Sequence, residues 1–191
     1  AVILVPTREL GQQIFNNLES FAKFLPEVSI AAVCGGIPIK PQIERLKTPT
    51  HIVVATPGRL IDLLQRKAIS LKETNFLVLD EADEMVSILK EALDEIITEL
   101  PKTYRTFLFS ATMPGTIKQL MHFLNTKDGE RGIIFCKTKA AVNKLAKNLA
   151  INRFSSGALH GSLSQGIRDR IMEQFREGHI NILVATDLAA R

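Results

Sequence analysis

Phe76-Leu77-Val78-Leu79-Asp80-Glu81-Ala82-Asp83 decides more about this chain than any other stretch of it. Four apolar residues run without alternation and are followed at once by three acids in four positions. A strand with one wet face alternates apolar and polar residues, whereas one covered on both faces does not. Residues 76–80 therefore predict a buried strand of a parallel sheet, with Asp80 and Glu81 delivered to its carboxyl end.

Seven more short, β-branched runs surround it, at residues 1–5, 28–33, 51–56, 105–110, 132–136, 157–160 and 180–186. Apolar stripes at helical spacing lie between them. Leu10, Ile14, Leu18, Phe21 and Leu25 make one; Met85, Ile88, Leu89, Leu93, Ile96 and Leu100 a second; Val142, Leu145, Ala146 and Leu149 a third; Ile167, Ile171 and Phe175 a fourth. Strand and helix in alternation predict an α/β fold with doubly wound parallel sheets.

The 191 residues suffice for one large domain or two small ones, and 46% apolar with 23% charged residues excludes a disordered or fibrous chain. No apolar run reaches the roughly 18 residues of a membrane span, and no basic leader with an apolar stretch opens the chain, so a cytoplasmic protein is expected. Cys34 and Cys136 are too far apart in sequence for a zinc motif and read as small buried hydrophobes in a reducing compartment. A net charge of +4 permits a nucleic-acid partner without requiring one.

In doubly wound sheets ligands gather beyond the carboxyl ends of the strands. Those ends carry Pro6-Thr7-Arg8-Glu9, Thr56-Pro57-Gly58-Arg59, Asp80-Glu81-Ala82-Asp83, Ser110-Ala111-Thr112, His160-Gly161 and Thr186-Asp187. Thr56 is placed to cap a helix and Pro57 fits its first position; the free amides of such a start suit phosphate, with Arg59 adding charge. Thr7-Arg8 has the same form. Each is equally a plain capped helix with a solvated arginine. Of Asp80 and Glu81, one can hold Mg²⁺ through water and the other polarise an attacking water, or both are acids favoured by a helix dipole. Ser110 and Thr112 can hydrogen-bond an acid such as Asp83, or cap the next helix. Gly35-Gly36 is not a phosphate loop, because no Gly-Lys-Ser/Thr follows and Pro38 and Pro41 remove amides. Gln165 and Arg168, three apart, share a helix face.

Taken together and in order, these motifs resemble the DEAD-box family of ATP-dependent RNA helicases, which have two RecA-like domains of the P-loop NTPase type. Asp80-Glu81-Ala82-Asp83 matches the name-giving tetrad. Pro6 to Leu10, Gly35-Gly36, Thr56 to Arg59 and Ser110 to Thr112 match the other first-domain motifs, and Ile133 to Thr138, Leu159-His160-Gly161 with Gln165 and Arg168, and Val184 to Arg191 match the second domain. The resemblance implies an enzyme that couples ATP hydrolysis to local RNA remodelling. It implies ATP and Mg²⁺ as cofactors, with Asp80 at the Mg²⁺ water shell and Glu81 activating the water. It implies that Asp83, Ser110 and Thr112 couple nucleotide state to domain closure. The RNA track would be lined by Pro6, Thr7, Arg8, Gly35, Gly36, Thr56, Pro57, Gly58 and Arg59 in the first domain. Thr138, His160, Gly161, Gln165, Arg168, Thr186 and Asp187 would line it in the second. Backbone contacts of this kind make binding salt-dependent and sequence-independent, by a monomeric core with no membrane partner.

Against the family pattern, the first domain would span residues 1–120 without its Walker A loop, and the second 121–191 without its arginine-finger motif. A chain of this extent alone is expected to bind RNA without hydrolysing ATP. The stretch 113–130 is also shorter than the family's passage between domains, which predicts an omitted segment. A DNA-unwinding relative on the same scaffold is the other alternative.

Overall fold

The computed structural model of the chain describes residues 1–110 and 132–186. It divides into two compact units, Ala1–Tyr104 and Arg105–Arg191.

The first unit contains β1 (Val2–Leu4), α1 (Arg8–Phe21), β2 (Ile30–Val33), α2 (Ile39–Leu46), β3 (Ile52–Ala55), α3 (Pro57–Gln65), β4 (Phe76–Leu79), α4 (Ala82–Ile88) and α5 (Lys90–Thr98). Its strands lie in the order β2-β3-β1-β4, and every pair is parallel. The registers Val2↔Val53 and Val2↔Leu77 align the carboxyl ends of β3, β1 and β4, so Pro6, Thr56 and Asp80 leave the sheet at one edge. Leu4, Val33, Val54, Leu77 and Leu79 form the sheet's share of the core, with Leu60 and Leu63 of α3 and Ile96 of α5.

The second unit contains β5 (Arg105–Ser110), β6 (Gly132–Cys136), α6 (Lys139–Ile151), β7 (Ser156–Leu159), α7 (Gln165–Glu177) and β8 (Ile182–Thr186), with strand order β5-β6-β8-β7, again parallel. β8 is buried at all five positions, as a strand covered on both faces is. The stripe Val142, Leu145, Ala146 and Leu149 of α6 is fully buried. Ile171 and Phe175 of α7 pack on Leu159, Leu183 and Ala185.

All eight expected strands are present, and the parallel α/β class holds. Two stripes end differently from expectation. Phe21 is 78% and Leu25 48% exposed, because α1 stops at Phe21 and the chain turns through a short 3₁₀ segment at Ala22–Phe24. The stripe from Met85 to Leu100 is two helices, not one. Leu89 leaves helical geometry at φ −119°, ψ 23°, two residues after Ser87, whose Oγ donates to the Asp83 carbonyl at 2.6 Å. Serine bonding back to the preceding turn bends helices.

Candidate functional site

Arg8 at the start of α1 and Thr56 and Arg59 at the start of α3 converge on one turn, residues 35–38. Gly36 takes φ +74°, a conformation that glycine adopts without steric cost. A Cβ there would also sit 3.1 Å from Arg8 Nη1. Arg8 Nη1 donates to the Gly36 carbonyl at 3.4 Å, and Arg59 Nη2 to the Ile37 carbonyl at 3.0 Å. The Gly35 amide donates to Thr56 Oγ1 at 3.1 Å.

Thr56 thus occupies the N-cap position of α3 without capping it by side chain. Pro57 takes the first helical position as expected. Beside it, no atom of the described residues lies within 4 Å of where a Cβ on Gly58 would stand, which leaves room there for close approach to the start of α3. Thr7 does cap: its Oγ1 accepts from the Leu10 amide at 3.3 Å, and Pro6 links β1 to this start.

Beneath the turn lies a residue that the sequence did not single out. Gln42 of α2 is 6% exposed, and its Nε2 donates to the Cys34 carbonyl at 3.1 Å and the Pro38 carbonyl at 3.4 Å. It pins both ends of the turn. Its signal was a polar residue three positions after Ile39 on an otherwise apolar helix face. Arg59 Nη1 is buried with no hydrogen-bond partner, and Arg59 forms no ion pair among the described residues. A buried cationic nitrogen without an acceptor is costly unless an anion joins it.

At the end of β4, the Asp80 amide donates to the Leu4 carbonyl at 3.0 Å, and Asp80 Oδ1 accepts from the Glu81 amide at 3.0 Å. Burial pushes the Asp80 carboxyl above its ordinary pKa, and the Glu81 amide opposes that shift. Glu81 is left-handed at φ 51°, ψ 47°. Such a backbone costs a non-glycine residue about 1–2 kcal/mol and is most often kept where a site needs it. The Glu81 carboxyl is also raised, by desolvation first and then by Glu84, Asp80 and Asp83. Asp83 follows in the first turn of α4. No group of three or more potential metal ligands occurs among the described residues. Asp80 and Glu81 therefore fit a cation held through water and a ligand's oxygens, as Mg²⁺ usually is, better than one caged by protein.

In the second unit, Thr138 caps α6, accepting from the Ala141 amide at 3.2 Å. His160 is 5% exposed at the end of β7, and its Nε2 lies 3.0 Å from Asn143 Oδ1 of α6, while its buried Nδ1 has no hydrogen-bond partner among the described residues. Among the described residues no atom lies within 4 Å of a Cβ built on Gly161. Gln165 Oε1 accepts from Arg168 Nη1 at 3.2 Å, and Gln165 Nε2 donates to Asp169 at 2.8 Å. Thr186 closes β8 opposite Cys136, and Ser110 closes β5 opposite the same residue. Thr112 and Asp187 lie outside the described residues. A concavity of about 1060 Å³ at the opposite edge of the first sheet, lined by Lys47, His51 and Lys72, contains none of the expected site residues.

The family model for DEAD/DEAH box helicases matches residues 1–120, and that for the helicase conserved C-terminal domain matches residues 115–191. The DEAD-box ATP-dependent RNA helicase CshA of Streptococcus pneumoniae is 36% identical over all of this chain, which spans 44% of that protein. The alignment runs over 231 residues against the 191 present here, so CshA carries internal residues without a counterpart in this chain. The ATP-dependent RNA helicase DeaD of Escherichia coli is 34% identical, with all of this chain and 37% of DeaD covered. A DEAD box protein from Methanococcus jannaschii superposes with a TM-score of 0.55 at 33% identity, covering 97% of this chain and 60% of that one. The two family models together account for every residue: the chain belongs to the DEAD/DEAH box helicase family.

Proposed function

We propose that this chain is the motif-bearing portion of an ATP-dependent RNA helicase whose two domains grip the RNA backbone while ATP is turned over. The observation that carries the proposal is the convergence of Arg8, Thr56 and Arg59 on the turn at residues 35–38, with a buried Arg59 nitrogen left without an acceptor. A phosphate oxygen supplies that acceptor. The free amides at the start of α3 face the same ligand, and contacts of this type read no base, so the RNA is bound independently of sequence. In the first unit, Pro6, Thr7, Gly35, Gly36, Pro57 and Gly58 shape the RNA contact. In the second unit, Thr138, His160, Gly161, Gln165, Arg168 and Thr186, together with Asp187, make contacts of their own to the RNA backbone.

Asp80 would hold Mg²⁺ through its water shell, and Glu81, with its raised proton affinity, would take the proton of the attacking water. Mg²⁺ supplies charge neutralisation at the phosphates when bound. Asp83, Ser110 and Thr112 keep the coupling role expected from the sequence. We place the domain boundary near residue 120. The residues that CshA has in addition fall, on this proposal, between Ser110 and Gly132. The core works as a monomer, and two buried free cysteines suit a reducing, cytoplasmic setting.

The test is Glu81→Gln in the full-length protein. ATP hydrolysis falls to background, measured as phosphate release, while binding of ATP and of single-stranded RNA persists. Loss of ATP binding would remove Glu81 from the water-activating role. RNA binding without any turnover by the unsubstituted protein would favour a non-catalytic binding module, and stimulation by DNA but not RNA would favour a DNA-unwinding enzyme.

A further inference from the structure

Helix α6 carries a charge pattern unlike that of its neighbour. Lys139, Lys144 and Lys147 lie on its exposed arc, and its thirteen residues include no acid. By contrast, the thirteen residues of α7 balance Arg168, Arg170 and Arg176 with Asp169, Glu173 and Glu177. Among the described residues none of the three lysines has an ion-pair partner, whereas Arg8, Lys47 and Arg66 of the first unit each have one. Lys144 and Lys147 stand three apart, so like charges face each other at a local cost.

The stripe is tied to the proposed RNA track. At 100° per residue, Lys139, Asn143 and Lys147 follow one another along one face of the helix. Asn143, in the middle, bonds His160, which precedes Gly161. At the amino end of the same helix stands Thr138, its cap. Lysines beside a polar residue that already touches the expected contact loop extend that loop's surface. Lys147 lies about 13.5 Å along the axis from Thr138 at 1.5 Å per residue.

Resting on the RNA reading above, we propose that the exposed face of α6 is an extension of the RNA path, where Lys139, Lys144 and Lys147 hold phosphates beyond the nucleotides gripped by Thr138, Gly161, Gln165 and Arg168. It makes occupancy depend on RNA length and salt but not on sequence, since ammonium groups meet phosphate as point charges.

The experiment compares full-length protein with its Lys144→Ala/Lys147→Ala variant on uridine oligomers of roughly 6 and roughly 20 nucleotides, the short one within the site sizes of single-strand binders. For the long oligomer the variant binds several-fold more weakly, and the slope of log K against log salt becomes shallower by about 1.4, at roughly 0.7 per phosphate of a single strand. For the short oligomer the two proteins bind alike. An unchanged slope with the long oligomer overturns the proposal, and so does equal weakening with both. Arg59→Ala is the control for the underlying reading: it weakens both lengths. If Arg59→Ala has no effect on either, the RNA track itself fails. If it weakens both while the lysine variant matches the unsubstituted protein, only the α6 extension fails. A circular dichroism melt confirms that the exposed lysine substitutions leave the fold intact.

Discussion

Asp80 sits at the end of a buried strand with one oxygen committed to the Glu81 amide, and burial raises its proton affinity. A carboxyl whose native pKa exceeds its unfolded pKa contributes stability below the unfolded value, and that contribution is lost as pH rises through the native value. Near pH 7 the charged form therefore works against the fold. Asparagine keeps the acceptor oxygen and removes the charge. Asp80→Asn should raise the melting temperature near pH 7, and the gain should vanish as pH falls below about 4. The same variant should lose ATP turnover, an exchange of stability for function that is common at active sites. Melts at both pH values check it; a lower melting temperature near neutrality would mean that the charge is compensated in the folded state. Residues at this scale were unevenly legible. An unbroken apolar run ending in acids places Asp80 and Glu81 from sequence alone. The hydroxyl of Thr56 reads as a local cap, yet it bonds an amide 21 residues away, and no local rule foretells a tertiary partner. Gln42 and Asn143 were missed for the same reason: their partners are the Cys34 and Pro38 carbonyls and a histidine on another element.

At the scale of elements, α1 shows how closely the helices are seated on the sheet. Gly11 is buried, and a Cβ built on it would stand 2.7 Å from Cys34 Sγ and 3.2 Å from Val5 Cγ2. An alanine gains about 1 kcal/mol of helix propensity over glycine, while overpacking a filled core costs about 1–3 kcal/mol. Contact this short makes the second effect win. Gly11→Ala should lower the denaturation midpoint by the equivalent of about 1–2 kcal/mol. Cys34→Ala in the same chain removes the obstructing sulfur, so the double variant should recover part of the loss that the two single losses would sum to. Strict additivity would mean that α1 shifts outward instead of pressing on Cys34. Helical periodicity found the elements but not their ends. Leu10, Ile14, Leu18 and Phe21 lie within α1, but Phe21 is its exposed last residue and Leu25 continues the same spacing past the helix end. Periodicity counts apolar residues and is blind to the 3₁₀ turn, set by backbone hydrogen bonds, and to the Leu89 break, which follows the Ser87 hydroxyl's bond to the preceding turn.

For the whole molecule, packing and sequence divide the chain at different places. The family models meet between residues 115 and 120, while the compact units meet at Tyr104 and Arg105, so β5 belongs to the first domain by sequence and pairs with β6 in the structure. The register Ser110↔Cys136 closes β5 against β6 within the second unit. Each unit nonetheless owns a core of fully buried leucines, Leu60 and Leu63 in one, Leu145 and Leu149 in the other. Units with separate cores open separately, because removing atoms from one leaves the packing of the other unchanged. Leu145→Ala should cost about 2–5 kcal/mol, the usual range for a buried leucine. Hydrogen exchange followed by mass spectrometry should then quicken at amides of residues 132–186 and stay unchanged across residues 1–104. Leu63→Ala should produce the mirror image. Exchange that quickens equally in both units after either substitution would mean that the chain opens as one cooperative body, and the lysine face of α6 would then have to be tested for effects transmitted through the fold as well as for direct contact with RNA.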